Sequence, residues 1–292
     1  MSGKTAFTRV VVITAIVAAG CLGIAALIGL AAGGFAPWEF RRAGATVDER
    51  ASLPLGGIDL VALTTIAENI RILEGPGDSV EAWLHGTVGA GNPDAAPHLA
   101  AERTGSTADI RVERQRLLSI GPFWSDLILE VSLPRGYAGR LSAKSISADI
   151  TVADHVYAGL ALTTTSGEIR AGAVSAPDFA MHSTSGDLRA TAVTSQRVDM
   201  SSVSGEVKVA FASAPSRMEA ASTSGDVTLR LPPDAQFILD ARSISGDISC
   251  GFPITISERS TGGGRHVLAG AVGSGRKTAA VRTVSGDIRI EQ

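Results

Sequence analysis

From about residue 145 onward the chain repeats itself. The string Ser-Gly-acid-aliphatic occurs at Ser166-Gly167-Glu168-Ile169, Ser185-Gly186-Asp187-Leu188, Ser204-Gly205-Glu206-Val207, Ser224-Gly225-Asp226-Val227, Ser245-Gly246-Asp247-Ile248 and Ser285-Gly286-Asp287-Ile288. A degenerate copy stands at Ser147-Ala148-Asp149-Ile150. Successive glycines lie 19, 19, 20, 21 and 40 residues apart, and the last interval reads as two periods with one copy erased near Gly262-Gly263-Gly264. A unit of about 20 residues cannot bury its own apolar side, so such units must stack on one another.

Within each unit the residues before the motif alternate, as in Phe179, Met181, Ser183 or Val198, Met200, Ser202. That is the period-2 pattern of a half-buried strand. Each copy carries Ser or Thr two places before the motif serine, with a β-branched residue between them in the full copies. After the motif the inward phase resumes one residue out of step, at Leu188 and Ala190 or at Val207, Val209 and Phe211, which predicts a corner. Glycines 167, 186, 205, 225, 246 and 286 are the structural corner residues, expected to supply a positive φ. Aromatic residues are only 4% of the chain against 45% hydrophobic, as a narrow interior of small and aliphatic side chains requires. The expected fold is all-β: a single-stranded β-helix, or β-solenoid, of 19–21-residue rungs. An array of hairpins with Ser-Gly at each tip is the alternative.

These S/T-x-S-G-D/E-aliphatic rungs, behind one N-terminal apolar segment, resemble the bacterial toast-rack family, whose members are provisionally called adhesins and are known from Lia-type and phage-shock envelope-stress operons. The resemblance extends over roughly residues 58–292, with Ile70-Arg71-Ile72, Gly75-Pro76-Gly77-Asp78 and the stretch from Leu127 to Pro134 matching the opening strands. It implies a right-handed, single-stranded β-helix at the cell envelope.

Val10 to Phe35 is 26 residues without a charge, against the ~20 that cross a bilayer as a helix. Trp38 and Phe40 follow at the expected headgroup level, so the segment reads as a retained anchor. The resulting organisation is a cytoplasmic tail over 1–9, one transmembrane α-helix over 10–36, a linker over 37–57, N-terminal β rungs over 58–136 and the repeat solenoid over 137–292. Localisation is then the cell membrane, single-pass, with the body extracytoplasmic. Val17-Ala18-Ala19-Gly20-Cys21 resembles a lipobox, but Ala18 stands where Leu is usual, and a buried inert thiol is the default for Cys21. Ala25, Gly29 and Gly33 make a small-residue face for pairing two such helices as a homodimer.

Little in the chain points to chemistry. A net charge of -3 and the lack of any basic run argue against nucleic acid as a partner. Two cysteines, one inside the apolar segment, make no disulfide framework. Gly270 to Thr278 is a near miss to a phosphate-binding loop, because Arg276 separates Gly275 from Lys277, and it reads as a glycine hairpin turn. The five histidines have no metal-ligand spacing. The repeated serines lack a unique base, so no catalytic residue and no cofactor is expected.

Stacking aligns Asp149, Glu168, Asp187, Glu206, Asp226, Asp247 and Asp287 as a column of carboxylates at ~4.8 Å intervals. Arg170, Arg189, Lys208 and Arg289 neutralise four of them from two residues on, whereas Asp226 and Asp247 are followed by Thr228 and Ser249. If the column held a hard cation, that pair, adjacent in sequence order, would be the place, although no specific metal site is expected. The sequence reads as a non-enzymatic adhesin-like or envelope-stress interaction module whose envelope protein or polymer partner is unknown. The alternative is a carbohydrate-active enzyme or polysaccharide-binding protein on the same scaffold, but sugar binding usually recruits exposed rings, and Trp83 and Trp124 lie before the repeats with no tryptophan within them, which counts against it.

Overall fold

The computed structural model describes residues 44–89, 96–114, 124–262 and 265–292. The expected membrane helix, Cys21 and the small-residue face lie outside the described residues, as does Gly263-Gly264.

Two 12-stranded sheets face each other across one core. Each rung places the strand before its corner in the first sheet and the strand after it in the second. The strand Asp178–Ser185, for example, turns at Gly186 and Asp187 into Leu188–Thr194. Neighbouring rungs pair in parallel and in register. Phe179 faces Leu160 and Val198, Met181 faces Leu162 and Met200, and Leu188 faces Ile169 and Val207. Parallel pairing is what a solenoid requires and a hairpin array cannot supply. Phe179, Met181 and Leu188 are essentially inaccessible, and burying side chains of this size contributes about 1.5–3 kcal/mol each.

The spatial order of the rungs departs from their order in the chain at both ends. Along the first sheet the strands run Thr107–Glu113, Leu60–Thr64, Arg140–Lys144, Gly159–Ser166, Asp178–Ser185, Arg197–Ser204, Arg217–Ser224, Lys277–Arg282 and Phe237–Ser243. The first rung in sequence is therefore slotted between the second and third. The last rung, Lys277–Arg282 with Ile288–Glu291, fills a gap between Arg217–Arg230 and Phe237–Cys250.

This order accounts for the 40-residue interval. No rung is erased: after Cys250 the chain forms an antiparallel hairpin, Ile254–Gly262 with Arg265–Val272, laid on Phe237–Ser243. It then returns through Gly273 and Gly275, both at positive φ (63° and 28°), to insert the final rung. The near-miss phosphate loop is thus a turn, but not a hairpin turn. The strands it joins flank Phe237–Ser243 on opposite sides.

The residues read as a linker also differ. Gly44–Pro54 is an 11-residue edge strand paired antiparallel with Ser79–Gly89. Its burial alternates, with Val47, Ala51 and Leu53 turned inward and Asp48, Arg50 and Ser52 outward, but Glu49, which bonds His98 and the Leu99 N–H, stands in the inner row and interrupts the pattern in the sequence.

A charged ladder along the glycine corner

The corner explains the repeat residue by residue. A Cβ on Gly205 would lie 2.2 Å from the carbonyl oxygen of Gly186 in the adjoining rung, and one on Gly186 would lie 1.8 Å from that of Gly167. Gly167, Gly225, Gly246 and Gly286 meet the carbonyl of an adjoining rung at 2.1–2.3 Å. Close approach of stacked backbones selects glycine at all six positions, and at three of them it acts without a positive φ. Gly167, Gly186 and Gly205 have no positive φ, while Gly225, Gly246 and Gly286 have φ of 159°, 148° and 153°.

The carbonyl that excludes a side chain is itself bonded. Ser202 and Ser222 each donate from Oγ to the glycine carbonyl of the preceding rung at 3.1 Å. Thr164, Ser243 and Thr283 make the equivalent bond to Ala148, Gly286 and Gly225. The buried hydroxyl two places before the motif serine is therefore an inter-rung tie. Ser183 occupies the same position without a hydrogen-bond partner.

The acids form the next row outward. Asp149, Asp187, Asp226 and Asp287 each accept, through Oδ1, the backbone N–H of the acid in the next rung at 2.8–2.9 Å. Beside them runs a basic row. Arg170 pairs with Glu168, Arg189 with Glu168, Asp187 and Glu206, and Arg289 with Asp226 and Asp287. The backbone N–H of Asp287 and the guanidinium of Arg289 hold the Asp226 carboxyl below its ordinary range. The bonds to Glu168 and to Asp226 raise Arg189 and Arg289 respectively.

Rung order separates the two acids singled out as a cation pair. Asp287 and Arg289 stand between Asp226 and Asp247, so Asp226 is neutralised. Asp247 ends the row with its side chain 94% exposed.

One member of the ladder is hidden in the sequence. Thr65-Ile66-Ala67-Glu68-Asn69-Ile70 repeats the spacing of Ser145 to Ile150, with Glu68 at the glycine position. Asn69 Oδ1 accepts the N–H of Asp149, as the aspartates do elsewhere. Glu68 is fully buried, accepts the N–H groups of Ile66 and Ala67, and pairs with Arg114.

Other candidate groups are dispersed. His182 bonds Ser201, His155 bonds the Tyr137 carbonyl, and His98 bonds Glu49. Trp83 stacks on His85 at 3.9 Å, carries Arg50 at 4.2 Å and donates to Asp48, so the ring is already engaged. A shallow groove of ≈ 400 Å³ involves Ser274, Arg276 and Lys277, whose Nζ donates to the Ala214 carbonyl at 2.8 Å.

The Toastrack DUF4097 family model matches residues 60–213 and again 141–291. The chain belongs to this family. Among solved structures it is similar in fold to a provisionally named cell-adhesion protein from Clostridium sporogenes (11% identity, 85% of this chain and 100% of that one, TM-score 0.35). It is also similar to a provisionally named adhesin from Bacteroides fragilis (12%, 86% and 98%, TM-score 0.44) and a provisionally named lipid-binding protein from Parabacteroides distasonis (12%, 84% and 97%, TM-score 0.42). No curated protein matches the chain.

Proposed function

We propose that this protein is a non-enzymatic binding module of the cell envelope, held at the membrane by its N-terminal apolar segment and presenting its solenoid flank to an extracytoplasmic protein or polymer. The observation that carries the reading is the fate of the repeated polar residues. Hydroxyls at the corner tie rung to rung, and the carboxylates cap backbone N–H groups or pair with arginine. The motif residues that resemble chemistry are thus occupied in holding the stack. What they leave to a partner is a long flank of repeating rows, suited to contacts of one kind made many times. Membership of the Toastrack family supports the same reading.

A photo-crosslinking residue placed in turn at the exposed positions Ala173, Thr191, Asp199 and Lys208 tests it in native membranes. Crosslinks to one partner from several successive rungs support a flank binder. Crosslinks confined to one rung, or cleavage of envelope polysaccharide by the purified chain, point to the enzyme instead.

A further inference from the structure

The two sheets do not end together at the C-terminal end of the solenoid. The first continues past Phe237–Ser243 by the two strands of the hairpin, whereas the second stops at the three-residue strand Ile248–Cys250. Gly251 donates to the Ile290 carbonyl and Asp247 accepts from Ile288, so odd-numbered residues face the neighbouring strand. By strand alternation the backbone N–H and C=O groups of Ile248 and Cys250 then point at the open edge. Other terminal strands carry charges that discourage pairing, such as Glu258 and Arg259 or Glu102 and Arg103. Ile248–Cys250 carries none, and a groove of ≈ 390 Å³ runs beside it, lined by Cys250, Gly251 and Ile290 among others.

We propose that this edge receives an extended strand of a partner protein, added in parallel as the next rung of the second sheet. The ladder specifies its chemistry. Where a rung follows an aspartate, that acid accepts the incoming backbone N–H, and Arg170 or Arg289 in the incoming strand reaches back to the preceding acid. Asp247, at the end of the row and 94% exposed, offers the same acceptor and the same negative charge. The fitting segment is therefore aliphatic-basic-aliphatic, its basic residue beside Asp247 and its aliphatic residues turned toward the exposed inner face of the hairpin at Ile256. Antiparallel pairing of this edge with its own copy is obstructed. It would set both overhanging hairpins on one face of the joined sheet, each reaching about 10 Å past an edge only ~4.8 Å from its mate. The proposal concerns the end of the rod and is independent of flank binding.

The test uses the full chain and a labelled peptide with the sequence of residues 187–194, read by fluorescence anisotropy. We expect saturable binding that weakens at least fivefold for the peptide with Arg189→Glu and for the chain with Asp247→Lys. Slower hydrogen exchange should be confined to Ile248–Cys250. Absence of saturable binding up to millimolar peptide, indifference to both charge changes, or slowed exchange elsewhere overturns the proposal. Concentration-dependent oligomers that Asp247→Lys abolishes would overturn it too, by showing that the edge serves a second copy.

Discussion

The carbonyl oxygen of Gly186 occupies the space where a Cβ on Gly205 would have to go, 2.2 Å away. Because both atoms belong to stacked backbones, no rotamer change relieves the clash, and even Gly205→Ala must push two rungs apart. Overpacking of this sort costs about 1–3 kcal/mol. Since Gly205 has no positive φ, its sensitivity arises from contact alone, and Ala is expected to be nearly as damaging as Val. Urea unfolding of both variants checks this. An Ala variant as stable as wild type would mean that the corners stack less closely.

Ser202 and Ser183 hold equivalent positions with unequal partners. Ser202→Ala removes a buried hydroxyl that donates to Gly186, and leaves that carbonyl with one bond fewer, for a loss of about 1 kcal/mol. Ser183 Oγ is buried without a partner, so Ser183→Ala is expected to be neutral or slightly stabilising. Equal losses in the two melting temperatures would contradict the inter-rung tie.

Glu68 is the one fully buried acid of the ladder, and its pairing with Arg114 closes the corner of the first rung. Glu68→Ala removes one of the bonds of Arg114, whose side chain is 24% exposed and also bonds Ser125, and leaves two part-buried N–H groups short of an acceptor. Losing the acceptor of buried donors costs about 1–3 kcal/mol. The expected result is a chain that unfolds at markedly lower urea, with the N-terminal rungs exchanging amide hydrogens first.

Asp226 is held below its ordinary value by the Asp287 N–H and by Arg289. The unfolded chain therefore binds the proton more readily, and stability from this group is complete above about pH 4 and lost as pH falls through the folded value. Asp226→Asn should lower the melting temperature at pH 7 but flatten its decline below pH 4. Parallel declines in wild type and variant would show that other carboxylates govern acid unfolding.

How much of this was legible in the sequence follows from what repeats. Period, strand phase and corner all recur every 19–21 residues, and the structure has them. Rung order does not recur, because each rung offers nearly the same rows to its neighbours. Val227 accepts Ile288 beside it where sequence order would place Ile248, and only the chain connections decide. Asp226 and Asp247 looked adjacent for that reason. Glu68 escaped notice because a side chain stands at the glycine position, although Thr65, Ile66, Asn69 and Ile70 keep the spacing of Ser145, Ile146, Asp149 and Ile150. The strand Gly44–Pro54 alternates in burial, but its inner row carries Glu49 between Val47 and Ala51, held there by His98 and the Leu99 N–H, so a carboxylate stands where the pattern calls for an apolar residue.

The inserted last rung gives the remaining prediction. In a solenoid stacked in chain order, losing the final rung breaks one interface and leaves the rest standing. Here Lys277–Arg282 and Ile288–Glu291 contact rungs on both sides, and Val281, Ile288 and Ile290 are buried. Removing three such side chains forfeits about 5–9 kcal/mol, comparable with the ~5–15 kcal/mol that holds a whole domain. Ending the chain at Arg276 is therefore expected to abolish cooperative unfolding of the C-terminal rungs. In the intact chain the amides of Val227 and Ile288, bonded to Asp287 and Asp247, should exchange slowly. That of Cys250, earlier in sequence but at the open edge, should exchange fast. A truncated chain that melts within a few degrees of the intact one, or a Cys250 amide as protected as Ile288, would mean that the rungs stack in the order in which they are written.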